Sequence, residues 1–209
     1  GFISKTCSDY DRYHGSVISY LRWVWKAASI RIKNGDDRQL KMCSCDALRR
    51  HLKIDQVWQY SMPDRSCQTL PDEFQRWRPM KHFAESGIVN EIVKTLIDCS
   101  GAEYLQPSLA MLLRDLSMSP LTAVQLLSDD CHLEPALALL LQANRRDVML
   151  SLAVETIWNL FEQSHPQASI RLGQDFIVKS FTTILIDLFN RGSSLQDRLL
   201  RNQILCTLT

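Results

Sequence analysis

The side chains that most often bind metals or act in catalysis are few in this chain, and they lie far apart. The five histidines are His14, His51, His82, His132 and His165. None of them has a cysteine or aspartate partner at the spacing typical of a metal site. The chain also has no glycine-rich phosphate loop and no nucleophile elbow. We therefore predict a protein that is not an enzyme and that needs no metal or cofactor.

The cysteines indicate a reducing compartment rather than a disulfide framework. They are odd in number and scattered, at Cys7, Cys43, Cys45, Cys67, Cys99, Cys131 and Cys206. Several of them fall inside apolar patterns of helical period, where a thiol packs as a small apolar group. Cys43 and Cys45 flank one serine, but no second pair follows at the spacing of a zinc site. We expect buried thiols.

Polar residues form a stripe along one predicted helix, at about 150–163. Ser151, Glu155, Asn159 and Glu162 recur at i, i+4, i+8 and i+11, so they share one helix face. One interpretation is a solvated face. The other is a groove that binds an extended partner chain, since an asparagine side chain can pair with backbone amides. We take these four residues as candidate partner-binding residues.

The helices that would position this stripe recur with a period of 44 residues. Stepping by 44 from the apolar stripe that begins at Val89 reaches apolar residues twice, in the columns Val89/Leu133/Ile177, Val93/Leu137/Phe181, Leu96/Leu140/Ile184 and Ile97/Leu141/Leu185. A further column is Leu116/Leu160/Ile204, and Leu112 and Leu200 flank Thr156 in another. A helical period of about 40–47 residues is typical of armadillo and HEAT repeats. We predict an all-α, armadillo/HEAT-like right-handed α-solenoid.

The period divides the chain into three parts. Residues 1–53 are predicted to form a divergent helical repeat, with helices at about 16–33 and 38–53. Residues 54–78 contain helix-breaking proline motifs together with Trp58 and Trp77. This insertion is interpreted either as a loop that packs its aromatic residues on neighbouring helices or as a partner-binding segment, so both tryptophans are candidate contacts. Residues 79–209 would form three armadillo-like repeats of about 44 residues, in an array truncated at both ends.

Helix limits follow from the same pattern. We predict second helices of the repeats at roughly 88–98, 132–142 and 175–190, and third helices at about 107–118, 147–163 and 195–208. Short first helices are expected at 79–86 and 121–128. Four prolines should lie at or just before helix starts, where a missing N–H costs little; they are Pro107, Pro120, Pro135 and Pro166.

A peptide-carrying function is the alternative that the stripe leaves open. Armadillo arrays that carry peptides, such as nuclear-import adaptors, place a tryptophan one helical turn before the asparagine. Here Glu155 occupies that position, and Trp158 lies beside Asn159 instead. One period before Trp158 the chain has Arg114, and we expect the half-buried indole to stack on it, which adds Arg114 to the candidate contacts. A scaffold is therefore favoured over a cytoplasmic peptide-binding adaptor or transport carrier.

The formal net charge of +1 conceals two halves of opposite sign. Residues 1–81 carry 15 Lys and Arg against 9 Asp and Glu, and residues 82–209 carry 9 against 14. The basic residues are scattered rather than gathered in a stripe with aromatic residues, which argues against nucleic acid as a partner. The longest apolar run is far shorter than the roughly 20 residues of a membrane span, so no membrane insertion is expected.

Two longer motifs go beyond a generic repeat. Residues 151–164 read SLAVETIWNLFEQS and residues 188–205 read LFNRGSSLQDRLLRNQIL. They resemble the family of cilia- and flagella-associated protein sixty-nine, a long armadillo-repeat protein. Shorter likenesses at residues 1–2, 8–9 and 83–88 follow in the same order, whereas residues 54–78 depart from the family pattern.

The resemblance implies a structural subunit of the motile cilium and sperm flagellum. Such a protein would lie in the cytoplasm and cytoskeleton, within a C1 projection of the axonemal central apparatus. Its partners would be other proteins of that apparatus, with direct microtubule association left open. The expected role is a non-catalytic scaffold for ciliary motility.

Overall fold

The computed structural model describes residues 43, 45–49, 87–98, 105–142, 147–191 and 194–208. Within these ranges the chain is α-helical, with no strand, so the all-α prediction is confirmed for the described residues. The chain divides into two compact units, Gly1–Val89 and Asn90–Thr209. In the first unit, residues 45–49 are helical, inside the helix predicted at 38–53. The predicted insertion at 54–78 lies outside the described residues.

From residue 88 onward, the described residues form seven α-helices. They are α1 (Ile88–Ile97), α2 (Gln106–Ser117), α3 (Pro120–Leu126), α4 (Leu133–Leu140), α5 (Asp147–Leu172), α6 (Gln174–Arg191) and α7 (Leu195–Leu208). A 3₁₀ turn at Asp129–Cys131 precedes α4. Six of the seven begin and end within about two residues of the predicted limits, because apolar spacing and turn residues mark both ends.

The exception is α5, which continues for nine residues beyond its predicted end. Pro166 lies inside this helix and not at a helix start, so that prediction was wrong. A proline removes one i→i−4 hydrogen bond and crowds the carbonyl four residues earlier, but a well-packed helix can continue through it. The helix ends one residue before Gly173, whose φ of +66° is accessible to glycine at little cost.

Two of the other prolines lie at helix starts. Pro107 and Pro120 occupy the first or second position of α2 and α3, as predicted. At this position the proline lacks an N–H that the helix would leave unpaired anyway. His132 precedes α4 with a φ of +51°, a left-handed conformation that is uncommon outside glycine. His132 therefore forms part of the turn that leads into α4.

The core of the second unit forms around α5, which packs against α2, α3, α4, α6 and α7, most extensively against α2. The apolar columns of the 44-residue period supply much of this core. Every member of five columns is buried, and all but Val89, the last residue of the first unit, belong to the second unit: Val89/Leu133/Ile177, Val93/Leu137/Phe181, Leu96/Leu140/Ile184, Leu116/Leu160/Ile204 and Leu112/Thr156/Leu200. Thr156 is tolerated there because its hydroxyl donates to the carbonyl of Leu152, 2.7 Å away.

No helix among the described residues is both long enough and apolar enough to span a bilayer.

Candidate partner-binding surface

The interface between α2 and α5 is closed by charged groups. One guanidinium nitrogen of Arg114 lies 3.2 Å from Oε2 of Glu155, on the neighbouring helix. The other terminal nitrogen lies 2.9 Å from Oδ1 of Asp115, whose carboxylate is buried. The Nε atom of Arg114 is buried without a hydrogen-bond partner in the described part of the chain. Arg114 thus links α2 to α5 and compensates a buried acid.

A second polar link follows three residues further along α2. The side-chain nitrogen of Asn159 donates to Oγ of Ser117, at 3.0 Å. The Ser117 hydroxyl in turn donates to the backbone carbonyl of Arg114, at 2.6 Å. Both links join residues 41 or 42 apart in the chain, close to one period. Neutral and charge-assisted hydrogen bonds of this kind fix the register of two helices more than they add to stability.

The predicted stripe on α5 is therefore partly used inside the molecule. Glu155 and Asn159 are half-exposed and bonded to α2, Ser151 is half-exposed, and Glu162 is exposed. The terminal guanidinium nitrogens of Arg114 contact the carboxylates of Glu155 and Asp115, and its stacking on Trp158 stays a prediction. Trp58 and Trp77 lie outside the described residues.

The interface between α5 and α7 differs, because it opens into a cleft of about 630 Å³. We call this feature the cleft. Its lining comes from the second half of α5, the start of α6 and the end of α7. It contains apolar and aromatic side chains with a few polar ones: Trp158, Phe161, Glu162, Ser169, Gln174, Ile177, Val178, Cys206, Thr207 and Leu208. Of these residues, the sequence predicted only Glu162 as a candidate contact, and it predicted Trp158 as a packing residue.

The columns show how the two interfaces differ. One period after Arg114 and Ser117, the chain has Trp158 and Phe161. One period after Glu155 and Asn159, it has Leu199 and Gln203. The second interface therefore lacks the charges of the first and carries two large rings where the first has a serine and an arginine. Trp158 and Phe161 line the cleft at the positions that Arg114 and Ser117 occupy in the first interface.

A third polar link also joins residues about one period apart, and it lies outside these two interfaces. The guanidinium of Arg171, near the end of α5, makes two hydrogen bonds to the carboxylate of Asp129. The bond from Nη2 to Oδ2 is 2.7 Å long. These residues border a smaller depression of about 370 Å³ around the start of α4. Because both groups are exposed, the pair contributes more to geometry than to stability.

Large apolar side chains are also exposed on α6 and α7. They are Val178, Ile186, Phe189, Leu195, Leu199, Leu205 and Leu208. Stepping back 44 residues from Val178 and Ile186 reaches Glu134 and Gln142, which are exposed and polar. A change from polar to apolar within one exposed column is the sequence signal that could have identified this surface.

The thiols divide into two environments. Cys131 is buried behind α4, and this burial raises the pKa of its thiol from 9.0 to about 12. Cys206 is exposed and lines the cleft. Among the described residues, no group of three or more His, Cys, Asp or Glu side chains is arranged to hold a metal ion.

Comparison of the chain with protein-family models, with curated proteins and with solved structures gives no match.

Proposed function

We propose that the chain forms a right-handed α-solenoid of armadillo/HEAT type that acts as a non-catalytic scaffold for other proteins. The observation that carries this proposal is the burial of five columns spaced by 44 residues. In a stacked array each repeat buries its apolar face against the next, so the same positions recur in the core.

The polar links support the same arrangement. Arg114 with Glu155, Ser117 with Asn159, and Asp129 with Arg171 are separated by 41 or 42 residues. Contacts at nearly one period are those expected when each helix packs on its counterpart in the next repeat. The third helices of the three predicted repeats correspond to α2, α5 and α7, and α5 packs against both of the others.

For the biological setting we propose the axoneme of motile cilia and sperm flagella, in a projection of the central apparatus. The support is the resemblance of residues 151–164 and 188–205 to a ciliary armadillo-repeat family. The first motif forms part of α5, and the second extends from the end of α6 into α7. These helices line the cleft, and the first motif contributes residues to this concave part of the described surface.

The cytoplasmic peptide carrier is the less favoured function. It would use the Asn159 side chain to hold a peptide backbone, but one N–H of that amide already donates to Ser117. The neighbouring Glu155 is engaged by Arg114. A scaffold needs no repeated pairs of tryptophan and asparagine, because it binds large partners through many modest contacts.

The proposal is tested by expressing the tagged protein in cells with motile cilia. We expect the protein to remain with demembranated axonemes after detergent extraction and to leave only at high salt. Proximity labelling should recover proteins of the central apparatus. Release by detergent alone, with labelling of cytoplasmic proteins only, would contradict the ciliary scaffold and favour the carrier.

A surface variant tests which face binds. Glu162→Lys reverses an exposed charge that makes no ion pair in the described structure, so the fold should be unaffected. We expect it to weaken retention on axonemes. The matched control is Glu134→Lys, an exposed glutamate on α4 outside the cleft. Equal retention of both variants would remove the α5 face from the proposal.

A further inference from the structure

We propose that the cleft between α5 and α7 binds a cationic side chain, arginine or lysine, on an apolar segment of a partner protein. This inference rests on the proposed scaffold function and specifies the chemistry of its partner. The proposed site lies at one interface of the molecule.

The aromatic residues provide the first part of such a site. Trp158 and Phe161 lie three residues apart on α5, so their rings share one helix face, and both are half-buried in the cleft lining. A guanidinium or ammonium group within about 6 Å of a tryptophan ring is attracted by the negative face of the ring. The rings also pack against the methylene groups that precede the charge.

Glu162 provides the second part. It follows Phe161 directly, and among the described residues that line the cleft it is the one with a charged side chain. Its carboxylate is exposed and makes no salt bridge with any described residue. A carboxylate beside an aromatic face selects a cation over a neutral polar group.

Lys179 and Arg198 are exposed on α6 and α7, and the four other described cations of α2, α5, α6 and α7 are engaged by other groups. Their partners are Glu155 and Asp115 for Arg114, Asp129 for Arg171, Asp187 for Arg191, and the Phe189 ring for Arg201. Among the described residues, no cation lines the cleft beside Glu162. Charge complementarity therefore calls for a basic residue from outside.

The volume indicates what accompanies that residue. At about 630 Å³ the cleft exceeds what one guanidinium fills, and it falls within the range of small-ligand sites. Ile177, Val178 and Leu208 extend the apolar part of the lining. The matching ligand is a short segment with apolar side chains next to an arginine or lysine.

The equivalent position one period earlier has no such character. The column of Trp158 there holds Arg114, and the column of Glu162 holds Met118. A cation at that interface would meet the guanidinium of Arg114. The site therefore belongs to the α5–α7 interface alone among the described interfaces.

The experiment uses the 209-residue chain, labelled with ¹⁵N, and a nine-residue peptide with a Leu-Arg-Leu centre flanked by glycine and serine. Two control peptides carry lysine or citrulline in place of the arginine, and citrulline keeps the shape without the charge. The indole N–H signal of Trp158 is assigned by its loss in the Trp158→Phe variant. We expect this signal to shift saturably with the arginine and lysine peptides, and the citrulline peptide to bind about fivefold more weakly.

Two variants complete the test. Glu162→Gln should weaken the arginine peptide about two- to fivefold, and the matched control Glu134→Gln should leave its affinity unchanged. Both residues are exposed, so both variants should fold, which their amide spectra will show. An unshifted Trp158 signal, equal affinity for citrulline and arginine, or an unchanged affinity in Glu162→Gln would each overturn the proposal.

The outcomes also separate this inference from the scaffold function. If no peptide binds but the protein stays with salt-washed axonemes, the cleft proposal fails alone. If the peptide binds as expected but detergent releases the protein from axonemes, the cation site stands and the ciliary function fails.

Discussion

Two successive interfaces of one helix differ in what closes them. Between α2 and α5, Arg114 and Ser117 bond to Glu155 and Asn159, and the helices pack closely. Between α5 and α7, a cleft opens beside two aromatic rings. The buried leucines of the two interfaces occupy the same columns, so the apolar period alone does not decide whether an interface closes.

The difference shows which positions of a repeat are constrained by folding. Four of the five buried columns are apolar at every step of 44 residues, and the fifth contains Thr156, whose hydroxyl donates to the carbonyl of Leu152. The columns beside them change freely, from Arg114 to Trp158 and from Glu155 to Leu199. If the chain is the scaffold that we propose, its binding sites are best sought where an outward column departs from its neighbours.

The largest contrast should appear in thiol chemistry. At pH 8 we expect N-ethylmaleimide to modify Cys206 in the cleft at least about a thousandfold faster than Cys131, because a buried thiol reacts only after unfolding. Mass spectrometry of pulse-labelled peptides measures both rates. Similar rates would show that the region around Cys131 is as open as the cleft.

The raised pKa of Cys131 also has a pH consequence. Below pH 9 the thiol is protonated in both the folded and the unfolded chain, so it does not affect stability. Between pH 9 and about 12 the unfolded chain loses this proton first, so the free energy of unfolding should fall as pH rises. Urea titrations at pH 8 and pH 10 measure the change, and Cys131→Ala should reduce it.

The second-largest effect should come from a buried leucine of α5. Leu160→Ala removes a fully buried side chain of α5 and should lower the free energy of unfolding by about 2–5 kcal/mol. Urea unfolding followed by circular dichroism measures the loss. Leu199→Ala, on an exposed position of α7, is the matched control and should change stability by less than about 0.5 kcal/mol. Equal losses would contradict the assigned core.

The third effect breaks the α2–α5 interface. Arg114→Met leaves the buried carboxylate of Asp115 without this cation, and we expect a loss of about 1–3 kcal/mol. The control is Arg198→Met, which removes an exposed cation from α7. If both variants are equally stable in urea, the Arg114 contacts do not hold the interface.

The smallest effect comes from transferring the ion pair to the second interface. Combining Trp158→Arg with Leu199→Glu recreates the charge pair one period later. A double-mutant cycle should give a favourable coupling of about 0.5 kcal/mol, as for other part-exposed pairs. Replacing Leu195 instead of Leu199 by glutamate provides the comparison. A coupling of zero would show that the second interface cannot adopt the geometry of the first.

The sequence predicted the helices well and the interfaces less well. Apolar spacing located six helices because burial acts on each helix locally. It could not show that Arg114 bonds to Glu155, because only the packed structure gives the distance between the two side chains. Prediction of the candidate site was likewise partial.

Pro166 shows the same limit. A proline favours a helix start in isolation, yet here tertiary packing carries the helix through it to Leu172. The sequence did mark the true end, because Gly173 adopts a positive φ there. A local preference is overridden where packing against neighbouring helices stabilises the helix by more than the loss of one hydrogen bond destabilises it.

The continuous course of α5 has a consequence for how this part of the chain unfolds. At 26 residues it is about 39 Å long, and it joins segments that the 44-residue period assigns to two successive repeats. If one segment unfolds while the other stays ordered, α5 must be interrupted between them. Hydrogen exchange across residues 147–172 should therefore report a single cooperative block, in contrast to an array that frays one repeat at a time.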